Sequence, residues 1–157
     1  MADYRKYFQG LNLEATGASP IAVNRIFQSR STATTDIRIK SLWLRFVVLL
    51  NSNTTDGNSA GGFVSLLKHD TYGKTPDADD VTAAKLAFSN YETPALLGSK
   101  PWVCSEQSPD RPEIYFKGLT LQRGENLYVG IRRMALVGNG NTTVRAAVMV
   151  KAVVDNE

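Results

Sequence analysis

A strict alternation of apolar and other residues near the C-terminal end constrains this chain more than any other feature of its sequence. Residues 144–154 place Val or Ala at every second position, and Leu127, Val129 and Ile131 continue the same period through residues 125–134. A half-buried strand has a period of two, whereas a helix would group its apolar residues every three or four positions. With the apolar run that begins at Ile114, the pattern predicts three consecutive strands between Glu113 and Val154.

Turn-forming residues separate these three strands. Gly138, Asn139, Gly140 and Asn141 supply positive-φ positions and side chains that cap their own turn, and the segment 123–125 contains Gly124. We therefore predict a hairpin between the last two strands and a meander over all three.

The rest of the chain is also predominantly β in pattern. Further strands are predicted over residues 21–28, 36–50, 62–68 and 101–105. Within 36–50 the apolar alternation changes phase, which predicts a bulge or break near Ser41. One short helix is predicted at about residues 77–89, because Pro76 and several Asp residues suit its first turn and Val81, Ala84 and Phe88 form one apolar stripe. The count is seven or eight strands. Their uneven spacing and the one inserted helix predict an all-β, eight-stranded antiparallel jelly-roll sandwich.

The first twenty residues differ in composition from the remainder of the chain. Tyr4, Tyr7 and Phe8 are aromatic, but residues 16–20 have a loop composition. We expect residues 1–20 to form an N-terminal arm and residues 21–157 the jelly-roll domain, with the aromatics of the arm docked on the domain or on a neighbouring copy.

Cysteine and histidine usage excludes several kinds of chemistry. The chain has 1 Cys, Cys104, and 1 His, His69. No intrachain disulfide or thiolate metal cluster can form, and no motif supports a catalytic triad around His69. Cys104 lies in an apolar segment typical of a buried, inert thiol. We therefore expect no catalytic, metal or cofactor site, and a protein that is not an enzyme.

Charge is spread evenly along the chain. There are 18 basic and 15 acidic residues, a net charge of +3, and no basic block that marks a nucleic-acid-binding tail. Arg5, Lys6, Arg132 and Arg133 are the densest basic pairs, so they are the candidate nucleic-acid contacts, and weak binding is expected. The longest apolar run, residues 42–50, is interrupted by Arg45 and is too short to cross a membrane as a helix.

That same run predicts a contact surface. From Trp43 onward both faces of the strand are largely apolar, as in a central strand whose outer face is covered by the same chain or by another subunit. The candidate subunit-interface residues are Tyr4, Tyr7, Phe8, Trp43, Val47 and Leu49. We therefore expect self-association.

The strand count, the loops rich in Asn, Thr and Gly, the short helix and the terminal pair of strands over residues 21–154 resemble small single-jelly-roll viral capsid proteins. The resemblance implies a shell subunit located in a virion, whose partners are copies of itself, weakly the genome, and other virion proteins. One departure is that residues 1–30 hold only Arg5, Lys6, Arg25 and Arg30 as basic residues, so the strongly basic arm usual in such proteins is missing.

Two other functions remain open from the sequence. The pattern Leu119-x-Leu121-x-x-Gly124-Glu125-x-Leu127-x-Val129 is similar to the penultimate strand of trimeric jelly rolls of the tumour-necrosis-factor and complement-head type, which implies an extracellular binding module. A carbohydrate-binding sandwich would use Trp43, Trp102 or Tyr128 as a sugar platform, although packing accounts for each aromatic as well. Either function would suit a soluble protein, extracellular or cytoplasmic, in place of a virion component.

Overall fold

The computed structural model describes residues 4–16, 21–28, 36–51, 59–70, 96–105, 108–122, 124–134 and 143–155. These residues form eight antiparallel strands in chain order: β1 (Tyr4–Ala15), β2 (Ile21–Gln28), β3 (Ile37–Asn51), β4 (Ser59–Asp70), β5 (Leu96–Ser105), β6 (Glu113–Leu121), β7 (Glu125–Met134) and β8 (Thr143–Asp155). The predicted all-β, eight-stranded sandwich is confirmed. The predicted helix at about 77–89 lies outside the described residues.

The strands form two four-stranded sheets. Sheet A has the order β1-β8-β3-β6, and sheet B has the order β2-β7-β4-β5. Four of the strand pairs join the first strand with the last, the second with the seventh, the third with the sixth, and the fourth with the fifth. The first half of the chain therefore pairs with the second half in reverse order, as in one long hairpin. Successive pairs alternate between sheet A and sheet B.

This order corrects the hairpin and the meander that we predicted near the C-terminal end. β6, β7 and β8 are strands as expected, but β7 pairs with β2 and β4 in sheet B, while β6 and β8 lie in sheet A. A period of two fixes which side chains of a strand face the core, and it carries no information about the neighbouring strand. Successive strands can thus alternate between sheets and still bury the same residues.

The N-terminal arm is also corrected. Tyr4–Ala15 is an edge strand of sheet A, paired with β8 from Tyr4 opposite Asp155 to Ala15 opposite Val144. Leu13 and Ala15 belong to the core between the sheets. The predicted boundary between arm and domain, at residue 20, lies within residues 17–20, which are outside the described residues.

The predicted break near Ser41 is confirmed. The register between β3 and β8 shifts between Ile39 and Ser41, so that Ile39 and Leu42, three residues apart, both face the core. Neighbouring β6 has Gly118 at this level with a φ of 74°, a backbone conformation that glycine adopts without steric cost. The shift places Ser41, Trp43, Arg45, Val47 and Leu49 on the outer face of sheet A.

The turn between β6 and β7 forms where the sequence predicted it. Gly124 has a φ of 85°, the backbone N–H of Glu125 donates to the carbonyl of Gln122 at 3.0 Å, and the Glu125 carboxylate accepts from the N–H of Gln122 at 2.7 Å. The same carboxylate pairs with Lys68 at 3.0 Å. Glu125 thus closes the turn and joins it to β4.

Candidate binding face

The outer faces of the two sheets differ in exposure. At the centre of sheet B, the outward side chains of Asn126, Tyr128 and Leu67 are fully buried, and the Asn126 amide donates to the Tyr128 hydroxyl at 3.4 Å. The exposed apolar side chains of sheet B are Val103 on its edge strand β5 and Met134 at the end of β7. On sheet A, four large apolar side chains are exposed: Phe8 (66%), Tyr115 (63%), Leu49 (46%) and Met149 (43%). Exposed apolar side chains that share one face mark a binding surface more often than scattered ones do. Sheet A therefore carries the candidate binding face.

Strand register arranges the outward residues of sheet A in rows that cross all four strands. Phe8 is opposite Lys151, Lys151 is opposite Trp43, and Trp43 is opposite Tyr115. We call these four residues the aromatic row. Outward residues recur at every second position, so the neighbouring rows are displaced by two residues along each strand.

On one side of the aromatic row lies a groove of about 510 Å³. Its lining includes Phe8, Gly10, Val47, Ala147 and Met149. A Cβ at Gly10 would meet no atom within 4 Å, so the space above Gly10 is open. We call this part of the face the groove half. It begins at the cross-strand row of Gly10, Met149 and Arg45 and ends at the row of Glu14, Arg145 and Leu49.

The charges of the groove half are largely paired. The Arg45 Nε lies 3.2 Å from the Glu113 carboxylate, and the Arg145 Nε lies 3.3 Å from the Glu14 carboxylate. Arg111 adds a further cation at the rim of the groove. All four paired side chains are about half exposed, so the pairs contribute little to stability, but they leave a nearly neutral surface around the apolar groove.

Trp43 is held in place by the same network. Its indole N–H donates to Glu113 at 3.3 Å, the Arg45 guanidinium lies 4.9 Å from the ring centroid, and the Lys151 ammonium lies 5.8 Å from it. Cations at these distances are attracted to the electron-rich face of the indole. Trp43 thus holds Arg45 and Lys151 in position. Tyr115 and Phe8 are the most exposed aromatic side chains of the row.

The structure brings together only part of the predicted interface set. Phe8, Trp43, Val47 and Leu49 share the outer face of sheet A. Tyr7 points the other way and packs within the subunit on Phe27, with ring centroids 4.8 Å apart, and its hydroxyl donates to Gln9. The side chain of Tyr4 is outside the described residues. Met149 and Tyr115 belong to the face but were not predicted, because each alternates with core residues in a strand whose partners were assigned wrongly.

The four predicted nucleic-acid contacts are not brought together. Lys6 pairs with Val153 near the start of β1, whereas Arg132 pairs with Ile21, which follows the end of β1. The ten residues from Lys6 to Ala15 span about 30 Å of strand. Arg5 and Lys6 therefore lie at the opposite end of the sandwich from Arg132 and Arg133.

Trp102 and Tyr128 offer no sugar platform, since 1% and 0% of their surfaces are exposed.

Cys104 is buried as predicted, and burial together with the nearby Asp110 carboxylate raises the pKa of its thiol to about 11. The thiol is thus protonated at neutral pH and a poor nucleophile. Among the described residues, no three His, Cys, Asp or Glu side chains are grouped to hold a metal ion, and no helix is long and apolar enough to span a membrane.

Comparison with known proteins gives structural similarity alone. The decameric BFDV capsid protein aligns over 100% of both chains with 9% identity and a TM-score of 0.44. Dimeric latent PorU from Porphyromonas gingivalis aligns over 96% of this chain with 10% identity and a TM-score of 0.42, and the chain spans 13% of its length. No protein-family model and no curated protein matches. One of these two structures is therefore a viral capsid protein.

Proposed function

We propose that this protein is a self-assembling structural subunit of a virion shell, with the jelly-roll connectivity of small capsid proteins. The strand order supports the fold assignment: an eight-stranded double-sheet jelly roll consists of two interlocked Greek keys, and pairing strands one with eight, two with seven, three with six and four with five generates that arrangement. Fold alone does not imply function. The functional part of the proposal therefore rests on the exposed face of sheet A.

One observation supports self-association: the groove half exposes apolar side chains next to charges that are already paired within the subunit. Leu49 and Met149 are large, apolar and exposed there, while the corresponding outer face of sheet B is buried at its centre. Because Arg45 and Arg145 already have carboxylate partners, a second copy can cover this half without leaving those two cations unpaired. We propose that a second copy of the chain occupies it.

The size of the groove half favours an assembly of many copies over an isolated dimer. With three strands about 4.8 Å apart and three rows of outward residues about 6.7 Å apart, it covers roughly 300 Å². A stable pairwise interface buries about 800 Å² on each partner. One such contact is weak by itself, and it becomes effective when each subunit makes several contacts at once, as in a closed shell.

The proposal predicts that Met149→Glu weakens assembly and Met134→Glu does not. The two methionines are equally exposed, at 43% and 42%, but Met134 lies at the end of β7 in sheet B. A carboxylate introduced at Met149 would be desolvated by the second copy, which should raise the concentration needed for assembly by roughly tenfold or more. Sedimentation velocity over a range of concentrations measures this shift.

Circular dichroism and thermal unfolding of both variants serve as the folding control. If the two variants assemble alike while both stay folded, the groove half is not the contact between copies.

A further inference from the structure

The other half of the exposed face of sheet A is strongly cationic, although no basic block exists in the sequence. Five exposed cations come from four strands: Lys6 of β1, Arg38 and Lys40 of β3, Lys117 of β6 and Lys151 of β8. Lys6 and Lys117 share one cross-strand row with Val153 and Ser41, directly beside the aromatic row. Only folding collects these charges, because their positions in the chain are far apart. We call them the cationic end.

Carboxylates are scarce at the cationic end. Glu113 lies on the groove side of the aromatic row, and its carboxylate accepts hydrogen bonds from Arg45 and Trp43. Asp155, opposite Tyr4 at the end of β8, is half-buried, and Asp36, directly before β3, is exposed; these are the two acidic residues on this side of the aromatic row within the described part of the chain. Five cations therefore outnumber two carboxylates. Such a surface repels a second identical copy of itself and attracts a polyanion.

The aromatic row adds a second, independent recognition element. Tyr115 and Phe8 are the most exposed aromatic side chains of the face and stand at its two ends, with Lys151 and Trp43 between them. Surfaces that bind single-stranded nucleic acid without sequence preference combine cations for the backbone with aromatics on which unpaired bases stack. A duplex keeps its bases stacked inside and cannot use the aromatics in this way.

We propose that the cationic end and the aromatic row form a binding site for single-stranded nucleic acid, with Lys6 and Lys117 contacting phosphates and Tyr115 stacking on a base. Trp43 is a positioning residue that holds Lys151 and Arg45. The site belongs to one subunit and does not depend on the contact between copies, so it can be measured on unassembled protein. It also differs from the candidate set derived from the sequence, of which only Lys6 is retained.

The test is binding of a 20-nucleotide oligothymidylate to dilute, monomeric protein, followed by fluorescence anisotropy over a salt series. Lys6→Ala combined with Lys117→Ala is compared with Arg25→Ala combined with Lys100→Ala, which removes two exposed cations from sheet B and gives the same net charge. The first pair should weaken binding roughly tenfold at low salt and reduce the slope of log affinity against log salt by about 1.4. The second pair should leave both unchanged.

Tyr115→Ala separates stacking from charge. It should weaken oligothymidylate binding by roughly fivefold or more, which is the contribution expected from stacking one base on an aromatic side chain. The binding of heparin, a sulfated polysaccharide without bases, should stay unchanged. Equal losses for both probes, or none, would overturn the assignment to single-stranded nucleic acid. The assignment would also be overturned if the two pairs of cation substitutions weakened binding equally, or if the unmodified protein did not bind at low salt. A third contrary result would be lysine variants that alter sedimentation but leave oligonucleotide binding intact.

Discussion

Removal of residues 1–15 is expected to abolish cooperative folding of this protein. β1 covers the edge of β8 over its whole length, and its Leu13 and Ala15 are part of the core between the sheets. Without it, the backbone groups along one edge of β8 lose their partners, and Val144 and Ala146 lose the neighbouring strand that shields them. The summed loss should exceed the roughly 5–15 kcal/mol by which a domain of this size is stable.

Urea unfolding followed by circular dichroism and by tryptophan fluorescence measures the effect. The matched control is deletion of residues 1–3, which precede β1 and should leave the unfolding midpoint unchanged. A protein lacking residues 1–15 that still unfolds cooperatively at the original midpoint would mean that this segment is an arm, as its composition alone suggested.

Gly62→Ala should produce the second large effect. A Cβ at Gly62 would lie 1.8 Å from the backbone oxygen of Arg132 and 2.9 Å from Cζ2 of Trp102. The Arg132 oxygen belongs to the neighbouring strand and the Trp102 ring is buried in the core, so neither can move freely. The substitution must shift β4 away from β7, which we expect to cost about 3 kcal/mol or more of the free energy of unfolding.

Gly10→Ala is the matched control, because the same methyl group there meets no atom within 4 Å. It should change the free energy of unfolding by less than about 0.5 kcal/mol. Chemical unfolding at concentrations where the protein is monomeric measures both variants. Equal midpoints for the two substitutions would show that sheet B accommodates a side chain at Gly62.

The sequence predicted strands best where both the period and the turn chemistry were strong. β8 and the β6–β7 turn follow from alternating apolar residues and from Gly124, and the phase change around Ser41 predicted the bulge in β3. β1 was missed because Arg5 and Gln9 occupy its inward positions and hide the alternation. The signal was nevertheless present from Leu11 onward, where Leu13 and Ala15 alternate with Asn12 and Glu14.

The exposed face of sheet A could be predicted only in part. Phe8, Trp43, Val47 and Leu49 were candidates for it because aromatic or doubly apolar segments are unusual on a free surface. Met149 and Tyr115 were not, since their exposure depends on which strands flank β8 and β6. Of the cationic end only Lys6 was a predicted contact, because Lys6, Lys117 and Lys151 become neighbours only through pairings of strands that are remote in the chain.

The mass of the native, unmodified protein in solution tests the central claim most directly. Native mass spectrometry or sedimentation at micromolar and higher concentrations, at neutral pH and in both low and high salt, would distinguish a shell from smaller species. We expect closed particles of many copies, in equilibrium with unassembled subunits at low concentration. A protein that stays monomeric under all these conditions would contradict self-assembly through the exposed face of sheet A.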